Sequence, residues 1–288
     1  MKVIIIATHY DGYMKILEYS CKKNNIDLIT IKPYLKKKYE YIDKLYYINE
    51  YIKKINDEEI IMVIDAFDTF VCGNNDEIEK KYISSNKKFL ISSHDYCKRY
   101  MMQIMFNTVF EENMLSNNTN FLNAGMFISK VKYAKQVFNI ALNMNIKDDQ
   151  ITLIKIHNNR PDLIQLDTDN ILFANLQQCK FIYPMKIYLE NNGFIFDENK
   201  KRIKHIDNDN YPCVIHGPFN MKLCELIHKI YPEVKECKDT TNYQYFKKIY
   251  TNKLFIKYIS IIFITLLILI IIIYFFLIYK YKNIKIKK

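Results

Sequence analysis

The amino-acid sequence predicts an α/β fold followed by one helix that spans a membrane. Short apolar stretches that suit buried strands alternate with amphipathic stretches of helical period over the first third of the chain. Two acidic residues, Asp65 and Asp68, directly follow one of these strands. Near the C-terminus, residues 258–279 contain no charged side chain. The first two observations indicate the α/β domain, and the third indicates the membrane helix.

The first half of the chain alternates strand and helix. Predicted strands lie at Val3–Ala7, Asp27–Ile31 and from Ile60. Helical periodicity covers residues 13–23, and an amphipathic helix is predicted from the spacing of Leu45, Ile48, Ile52 and Ile55. Because strands that alternate with helices pair in parallel through right-handed crossovers, a Rossmann-like sheet flanked by helices is expected.

The second half continues this pattern less regularly. Further strands are predicted at Phe89–Ser92, Phe121–Ser129, Leu163–Leu166, Ile171–Phe173 and Cys213–His216. Further helices are predicted at Asp76–Tyr82, 131–145, Asp148–His157 and Met221–Ile230. Residues 95–120 are expected to form an irregular insertion, and the polar residues 190–210 are expected to form a loop.

The stretch IIMVIDAFDTFVC, residues 60–72, contains the clearest chemical signal. Its apolar run suits a strand buried on both faces, and open α/β sheets bind ligands beyond the carboxyl ends of their strands. Asp65 and Asp68 follow that run, and hard divalent cations prefer oxygen ligands of this kind. On spacing alone, two interpretations are about equally supported: the carboxylates cap a turn, or they bind a cation.

The net charge of +11 does not indicate nucleic-acid binding. Nine Lys and no acidic residue lie from Lys247 onward, and removing these nine from +11 leaves +2 for residues 1–246. The basic character therefore belongs mainly to the C-terminal region, and no nucleic-acid-binding motif accompanies it.

The seven cysteines are odd in number, scattered and never spaced C-x-x-C. This pattern argues against a zinc site and against a disulfide framework. We expect most of these cysteines to be small buried side chains in a reducing compartment.

The uncharged segment 258–279 predicts a membrane helix, since 22 residues in helical conformation extend about 33 Å. A shorter, less uniformly apolar stretch would be typical of a buried core helix. The predicted organisation is a globular domain at 1–235, a basic juxtamembrane linker at 236–257, the span at 258–279 and a Lys-rich tail at 280–288.

Six motifs occur in an order that resembles the glycosyltransferase domain of the procollagen lysyl hydroxylase (PLOD) family and related procollagen glycosyltransferases. They are ATHYDGY, VIDAFD, FLNAG, DDQ, LDTDNILFANL and VIHGPFNMK, and the similarity covers about residues 2–232. The resemblance implies a GT-A fold, with a Rossmann-like mixed sheet flanked by helices, that binds a UDP-sugar with Mn²⁺. It also implies that Asp65, Asp68 and His216 hold the metal. Independently, all three end predicted strands, and a carboxylate–imidazole set suits Mn²⁺.

The resemblance implies further site residues. Thr8, Lys44, Phe67, Gly217 and Lys222 correspond to positions around the nucleotide and its diphosphate, with Phe67 stacking on the base. A solvent-exposed helix lysine is an equal alternative for Lys44. Asp148, Asp149, Gln150 and Asn123 correspond to positions around the acceptor and the transferred sugar. For the two aspartates, the alternative is that they stabilise a helix N-terminus. Gly125 would let the backbone approach the sugar.

These features predict a membrane-anchored hexosyltransferase that moves glucose or galactose from a UDP-sugar to a protein or glycan acceptor, with retention implied by the resemblance. A glycogenin-like transferase shares N-A-G but usually has D-x-D. A catalytically inactive membrane-bound binding protein on the same fold is the third possibility. The scattered cysteines and the absence of a signal-peptide pattern predict a C-terminal anchor with the catalytic domain in the cytosol.

Overall fold

A mixed six-stranded sheet forms the centre of the first structural unit in the computed structural model. The structure describes residues 1–34, 39–95, 120–176, 184–218, 222–239 and 260–274. The sheet order is β2-β1-β3-β6-β5-β7. The strands are β1 (Lys2–Ile6), β2 (Asp27–Ile31), β3 (Ile60–Ile64), β5 (Phe89–Asp95), β6 (Asn120–Lys130) and β7 (Ile164–Asp167).

Strands β1, β2 and β3 are parallel, as the strand–helix alternation predicts. Strand β6 runs antiparallel to both β3 and β5, whereas β7 is parallel to β5. The predicted α/β class with a mixed, helix-flanked sheet is confirmed. A buried apolar run has the same composition in either strand direction, so the reversal at β6 was not evident from the residues.

Helices cover both faces of this sheet. They are α1 (Met14–Lys23), α2 (Asp43–Ile52), α3 (Asn75–Ser85), α4 (Val131–Asn143) and α5 (Asp149–Asn159). One core packs β1 side chains Ile4 and Ile6 against apolar residues of α2, α4 and α5. The opposite core packs Val3 and Ile5 against α1 and α3. Alternate residues of one strand therefore contribute to two different cores.

A smaller sheet lies beside the first and has the order β4-β11-β8. Its strands are β4 (Thr69–Val71), β8 (Phe173–Asn175) and β11 (Val214–His216). Helices α6 (Met185–Asn191) and α7 (Cys224–Ile230) contribute to a third core together with Phe70, Ala174 and Ile215 of this small sheet. Strand β11 is antiparallel to β4 and parallel to β8, which brings the end of β11 to the turn after β3.

Residues 190–210 contain a hairpin and are not only a loop, so that expectation was wrong. Strands β9 (Phe194–Asp197) and β10 (Arg202–His205) pair in antiparallel register. Phe194 and Ile203 point into the third core, but the charged residues between them concealed this pattern. Most of the predicted insertion at 95–120 lies outside the described residues.

Residues 260–274 form helix α8, which belongs to a second unit. Within the part of the chain that the structure describes, no helix is both long enough and apolar enough for a membrane span. Residues 258–259 and 275–279 of the predicted span lie outside the described residues.

Candidate metal and sugar-transfer site

The turn between β3 and β4 brings the two aspartates to His216. Asp65 follows the last residue of β3, and the Thr69 hydroxyl donates a hydrogen bond to the Asp65 carbonyl, which closes the turn. Thr69 opens β4 and is the register partner of His216 on β11. The backbone N–H of Gly217 also donates to the Asp68 carbonyl, at 2.9 Å. Strand pairing and turn hydrogen bonds therefore hold the three side chains at one edge.

The side chains of Asp65, Asp68 and His216 meet there. His216 Nε2 lies 3.3 Å from Asp68 Oδ1 and 3.9 Å from Asp65 Oδ2. One ligand atom from each residue can be chosen so that all lie within 4.8 Å of one another. Burial lowers the pKa of His216, but Asp68 and Asp65 outweigh that effect and raise it above its ordinary value. The cluster is thus a compact anionic site with one imidazole.

Two atoms of this cluster fit a bound cation. Asp68 Oδ1 and His216 Nε2 are both buried and have no hydrogen-bond partner among the described residues. Buried polar atoms are nearly always paired, so such atoms indicate a group that completes their coordination. Carboxylate oxygens and an imidazole nitrogen form a suitable donor set for a divalent transition metal such as Mn²⁺. The three residues can therefore hold a metal ion.

Gly125 on β6 lies against the same cluster. A β-carbon at this position would come within 2.5 Å of His216 Cε1 and 2.9 Å of Asp65 Oδ2. The Gly125 carbonyl accepts a 2.8 Å hydrogen bond from Asp65 N, and Asn123 Oδ1 accepts one of the same length from Gly125 N. The N-A-G segment therefore leaves room for the metal cluster. Its predicted contact with the sugar stays a prediction.

Lys44 joins this cluster to the second acidic site. Its ammonium group lies 3.2 Å from Asp65 Oδ1 and 2.6 Å from Asp149 Oδ2, and it donates to the Ala124 carbonyl at 3.0 Å. Burial lowers the pKa of Lys44, but Asp149 and Asp65 together raise it by a larger amount. The pKa is therefore above its ordinary value, and the ammonium group stays charged. Of the two alternatives for Lys44, the solvent-exposed helix lysine is wrong, because the side chain is largely buried.

The acidic pair Asp148 and Asp149, at the start of α5, occupies two different environments. Asp148 is the N-cap of α5, and its Oδ1 accepts a 2.9 Å hydrogen bond from Ile151 N. Asp149 is buried and faces Lys44, and its Oδ1 accepts from the backbone N–H of Gln150 at 2.9 Å. Burial raises the pKa of Asp149, and Lys44 offsets part of that rise. The helix-cap alternative therefore applies to Asp148 and does not account for Asp149.

Thr8, His9 and Phe67 form an edge beyond β1 and β3. Thr8 is exposed, and its hydroxyl lies 2.8 Å from His9 Nδ1. The His9 and Phe67 rings have centroids 4.6 Å apart. Gly12, with φ of +60°, packs so closely on Phe67 that a β-carbon would lie 2.3 Å from its carbonyl oxygen. His9 was missed in the sequence, where only its position beside Thr8 at a strand end signalled it.

Lys222 is exposed and directly precedes the start of the α7 region, while residues 219–221 lie outside the described part of the chain. Its predicted role at the diphosphate stays a prediction. Nearby, Cys224 and Cys237 form a disulfide, although the sequence argued against a disulfide framework and most cysteines were expected to be small buried side chains. The Tyr13 side chain also contacts this region: its hydroxyl donates a 2.8 Å hydrogen bond to Asp239 and accepts one of 3.0 Å from Leu223 N. These contacts join residues distant in the chain.

Another residue that the sequence did not indicate is Asn175 on β8. Its Oδ1 lies 2.7 Å from His216 Nδ1, and both residues are buried. Asn175 lies in the stretch LDTDNILFANL, but nothing local marks it as the partner of His216, because the contact depends on the pairing of β8 with β11.

Comparison with known proteins identifies relatives of this chain. Residues 1–237 match the family model described as the PLOD GT domain. A procollagen-lysine,2-oxoglutarate 5-dioxygenase from Drosophila melanogaster is 31% identical over 166 residues, which are 56% of this chain and 21% of that protein. The multifunctional procollagen lysine hydroxylase and glycosyltransferase LH3 from Homo sapiens is 26% identical over 188 residues, which are 62% of this chain and 23% of that protein.

The match thus spans less than a quarter of the length of these curated relatives. Among solved structures, a galactosyltransferase LgtC complex with donor and acceptor sugar analogues superposes with a TM-score of 0.43 at 11% identity. That superposition covers 86% of this chain and 100% of the other. The family match covers most of the chain, including every candidate site residue described above, and the chain belongs to the PLOD GT domain family.

Proposed function

We propose that this chain is a metal-dependent glycosyltransferase with a GT-A fold. In this proposal it transfers a hexose, glucose or galactose, from a UDP-sugar to a hydroxyl group of a protein or glycan acceptor. The observation that carries the proposal is the convergence of Asp65, Asp68 and His216 within 4.8 Å, with two of their buried atoms lacking a hydrogen-bond partner among the residues that the structure describes. Membership of the PLOD GT domain family supports the same activity.

Asp65, Asp68 and His216 would hold Mn²⁺. A bound cation neutralises the charge that develops on a departing diphosphate. The turn that carries the two aspartates is closed by Thr69 and Gly217, so these ligands are oriented before any donor arrives. Lys222 would add a second positive charge at the diphosphate, and the His9–Phe67 edge would contact the base.

On the acceptor side, Lys44 keeps Asp149 oriented toward the metal cluster. Asp148, half-buried at the start of α5, is the more accessible carboxylate and would bind the acceptor hydroxyl. Asn123, whose Oδ1 accepts a hydrogen bond from Gly125 N beside the metal cluster, would contact the transferred sugar. Retention of configuration is proposed from the family resemblance.

The decisive test measures UDP release by the purified full chain with Mn²⁺ and a panel of UDP-sugars that includes UDP-glucose and UDP-galactose. Asp68→Asn and His216→Gln should lower turnover about 100-fold or more. Asp162→Asn is the control, because Asp162 is exposed and pairs with Arg160. If the two ligand variants keep the turnover and metal dependence of the unmodified chain, the proposal is wrong.

The same assay separates the alternative functions. A glycogenin-like transferase would add sugar to its own chain, which intact-mass measurement detects. An inactive binding protein would release no UDP with any donor or acceptor.

Two variants of Asp148 separate the role of its negative charge from its role as the helix N-cap. Asp148→Asn removes the charge and keeps a capping oxygen, whereas Asp148→Ala also loses about 1 kcal/mol of stability. Loss of activity in both variants would support the acceptor role.

We also propose that residues 258–279 anchor the chain in a bilayer. The support is the uncharged 22-residue sequence. The scattered cysteines predict a cytosolic domain, whereas the Cys224–Cys237 disulfide is typical of an oxidising compartment. Alkaline extraction of membranes tests the anchor, and release of the chain would contradict it. Protease protection of intact vesicles then assigns the side.

A further inference from the structure

Asn175 and His216 occupy matched positions on neighbouring strands. Strands β8 and β11 are parallel, and Asn175 is the register partner of His216. Side chains at paired positions point to the same face of a sheet, so the amide and the imidazole meet directly. Asn175 is 5% exposed and His216 is 2% exposed, so water does not compete for their contact. The two side chains therefore form one buried polar pair.

The orientation of the Asn175 amide follows from its second contact. Asn175 Nδ2 donates a 2.8 Å hydrogen bond to the carbonyl of Ser93 on β5. A carbonyl oxygen only accepts, so this side of the amide must be the NH₂ group. The amide oxygen consequently faces His216 Nδ1 at 2.7 Å. The larger sheet, through Ser93, thereby determines which amide atom the histidine meets.

An amide oxygen also only accepts, so His216 Nδ1 must carry the proton in this contact. When the ring is neutral, its lone pair then lies on Nε2. Nε2 has no hydrogen-bond partner among the described residues and lies 3.3 Å from Asp68 Oδ1. The opposite tautomer would place a lone pair of Nδ1 against the lone pairs of Asn175 Oδ1. The amide therefore favours the Nδ1–H tautomer, whose Nε2 lone pair can bind a cation, and excludes the Nε2–H tautomer.

We propose that Asn175 is the positioning residue that orients His216 for cation binding by holding its proton on Nδ1. Ser93 completes the arrangement through its backbone carbonyl. The inference rests on the metal site of the proposed function and adds a residue outside the three ligands. Removal of a group that hydrogen-bonds to a ligand histidine in this way typically weakens metal binding roughly 10- to 100-fold.

The test measures Mn²⁺ affinity of the full chain by electron paramagnetic resonance titration, without donor or acceptor. Asn175→Leu removes the acceptor at Nδ1 and should weaken Mn²⁺ binding about 10- to 100-fold. Asn175→Asp keeps that acceptor, loses the contact with Ser93, and should bind within a few-fold of the unmodified chain. Asn49→Leu is the control, because Asn49 is similarly buried on α2. It should keep the original affinity.

A second readout detects the tautomer itself. Long-range ¹H–¹⁵N spectra of the metal-free protein, recorded at alkaline pH so that the His216 ring is neutral, separate the two neutral tautomers, and comparison with His216→Gln assigns the signal. We expect the Nδ1–H form in the unmodified chain and a mixture in Asn175→Leu.

Three results would overturn the inference. Unchanged affinity and tautomer in Asn175→Leu would mean that the amide only packs. Equal losses in Asn175→Asp and Asn175→Leu would mean that placement by Ser93 matters and the acceptor does not. If the unmodified chain binds no Mn²⁺, the metal site of the proposed function fails as well, which distinguishes that failure from the other two.

Discussion

Lys44 Nζ lies 2.6 Å from Asp149 Oδ2 and 3.2 Å from Asp65 Oδ1, so one ammonium group links the two acidic parts of the site. Lys44 is on α2, Asp65 follows β3 and Asp149 opens α5. Without the lysine, the buried Asp149 carboxylate and the partly exposed Asp65 carboxylate, from separate elements, would have no positive charge between them. Lys44 therefore compensates their charge and couples the position of a metal ligand to that of the proposed acceptor site.

Replacement of Lys44 by Met should destabilise the protein by about 3 kcal/mol, because it leaves the buried Asp149 carboxylate without the positive charge that it pairs with. The double variant Lys44→Met/Asp149→Asn should recover much of that loss. Urea denaturation of the metal-free chain measures both. Lys53→Met, which removes an exposed pair with Glu50 on the same helix, should cost less than about 1 kcal/mol. If the stability losses of Lys44→Met and Asp149→Asn, measured singly, add up to the loss in the double variant, the coupling is contradicted.

Gly125→Ala should weaken Mn²⁺ binding by about tenfold or more, since the new methyl group displaces the His216 ring or Asp65. Calorimetric titration with Mn²⁺ measures the change. Gly73→Ala is a matched control, because its β-carbon would collide with Cys213 at 2.6 Å and with none of the three ligands. It should lose stability and keep Mn²⁺ affinity. Equal Mn²⁺ affinity in Gly125→Ala and the unmodified chain would refute the steric role.

Glu77 should make stability depend on pH in the acid range. Burial raises the pKa of Glu77, but Arg202 and Lys81 together lower it by a larger amount. The pKa of Glu77 in the folded protein is therefore below its ordinary value of 4.5. Arg202 Nη1 lies 2.7 Å from Glu77 Oε2, which joins the β9–β10 hairpin to α3. A depressed folded-state pKa stabilises the protein above the unfolded-state pKa, and this stabilisation disappears as pH falls through the folded-state value.

Glu77→Gln should therefore cost about 1–3 kcal/mol at pH 7 and progressively less below about pH 4.5. Thermal unfolding across this pH range measures the difference between variant and unmodified chain. Glu198→Gln, at an exposed cluster with Lys201 and Lys229, should show a small difference. A Glu77→Gln deficit that is constant with pH would argue against ionisation as its cause.

The Cys224–Cys237 disulfide should stabilise the unit by about 3 kcal/mol, because it closes a loop of 13 residues in the unfolded chain. Cys224→Ser/Cys237→Ser should lower the unfolding temperature, and reductant should then have no further effect. Cys21→Ser leaves the disulfide intact and should remain sensitive to reductant, since Cys21 is a free buried thiol. Detection of Cys224 and Cys237 as free thiols by mass spectrometry would contradict the pairing.

Local patterns in the chain determined much of the fold and part of the site. The buried run at Ile60–Ile64 predicted β3, and the alternation around it predicted the parallel strands β1 to β3. The D-x-x-D spacing after β3 and the strand-end position of His216 were compatible with a metal cluster, which the resemblance to the PLOD family then assigned to these residues. These features are predictable because period, strand ends and turns depend on neighbouring residues.

Only the tertiary structure decided which distant residues meet. The contact between Asn175 and His216 joins residues 41 positions apart, and that between Lys44 and Asp65 joins residues 21 positions apart. The antiparallel β6, the β9–β10 hairpin and the Cys224–Cys237 pair were likewise not evident from the residues alone. Strand direction and side-chain partners depend on how separate elements pack, and a local pattern of apolar and polar residues is compatible with several packings.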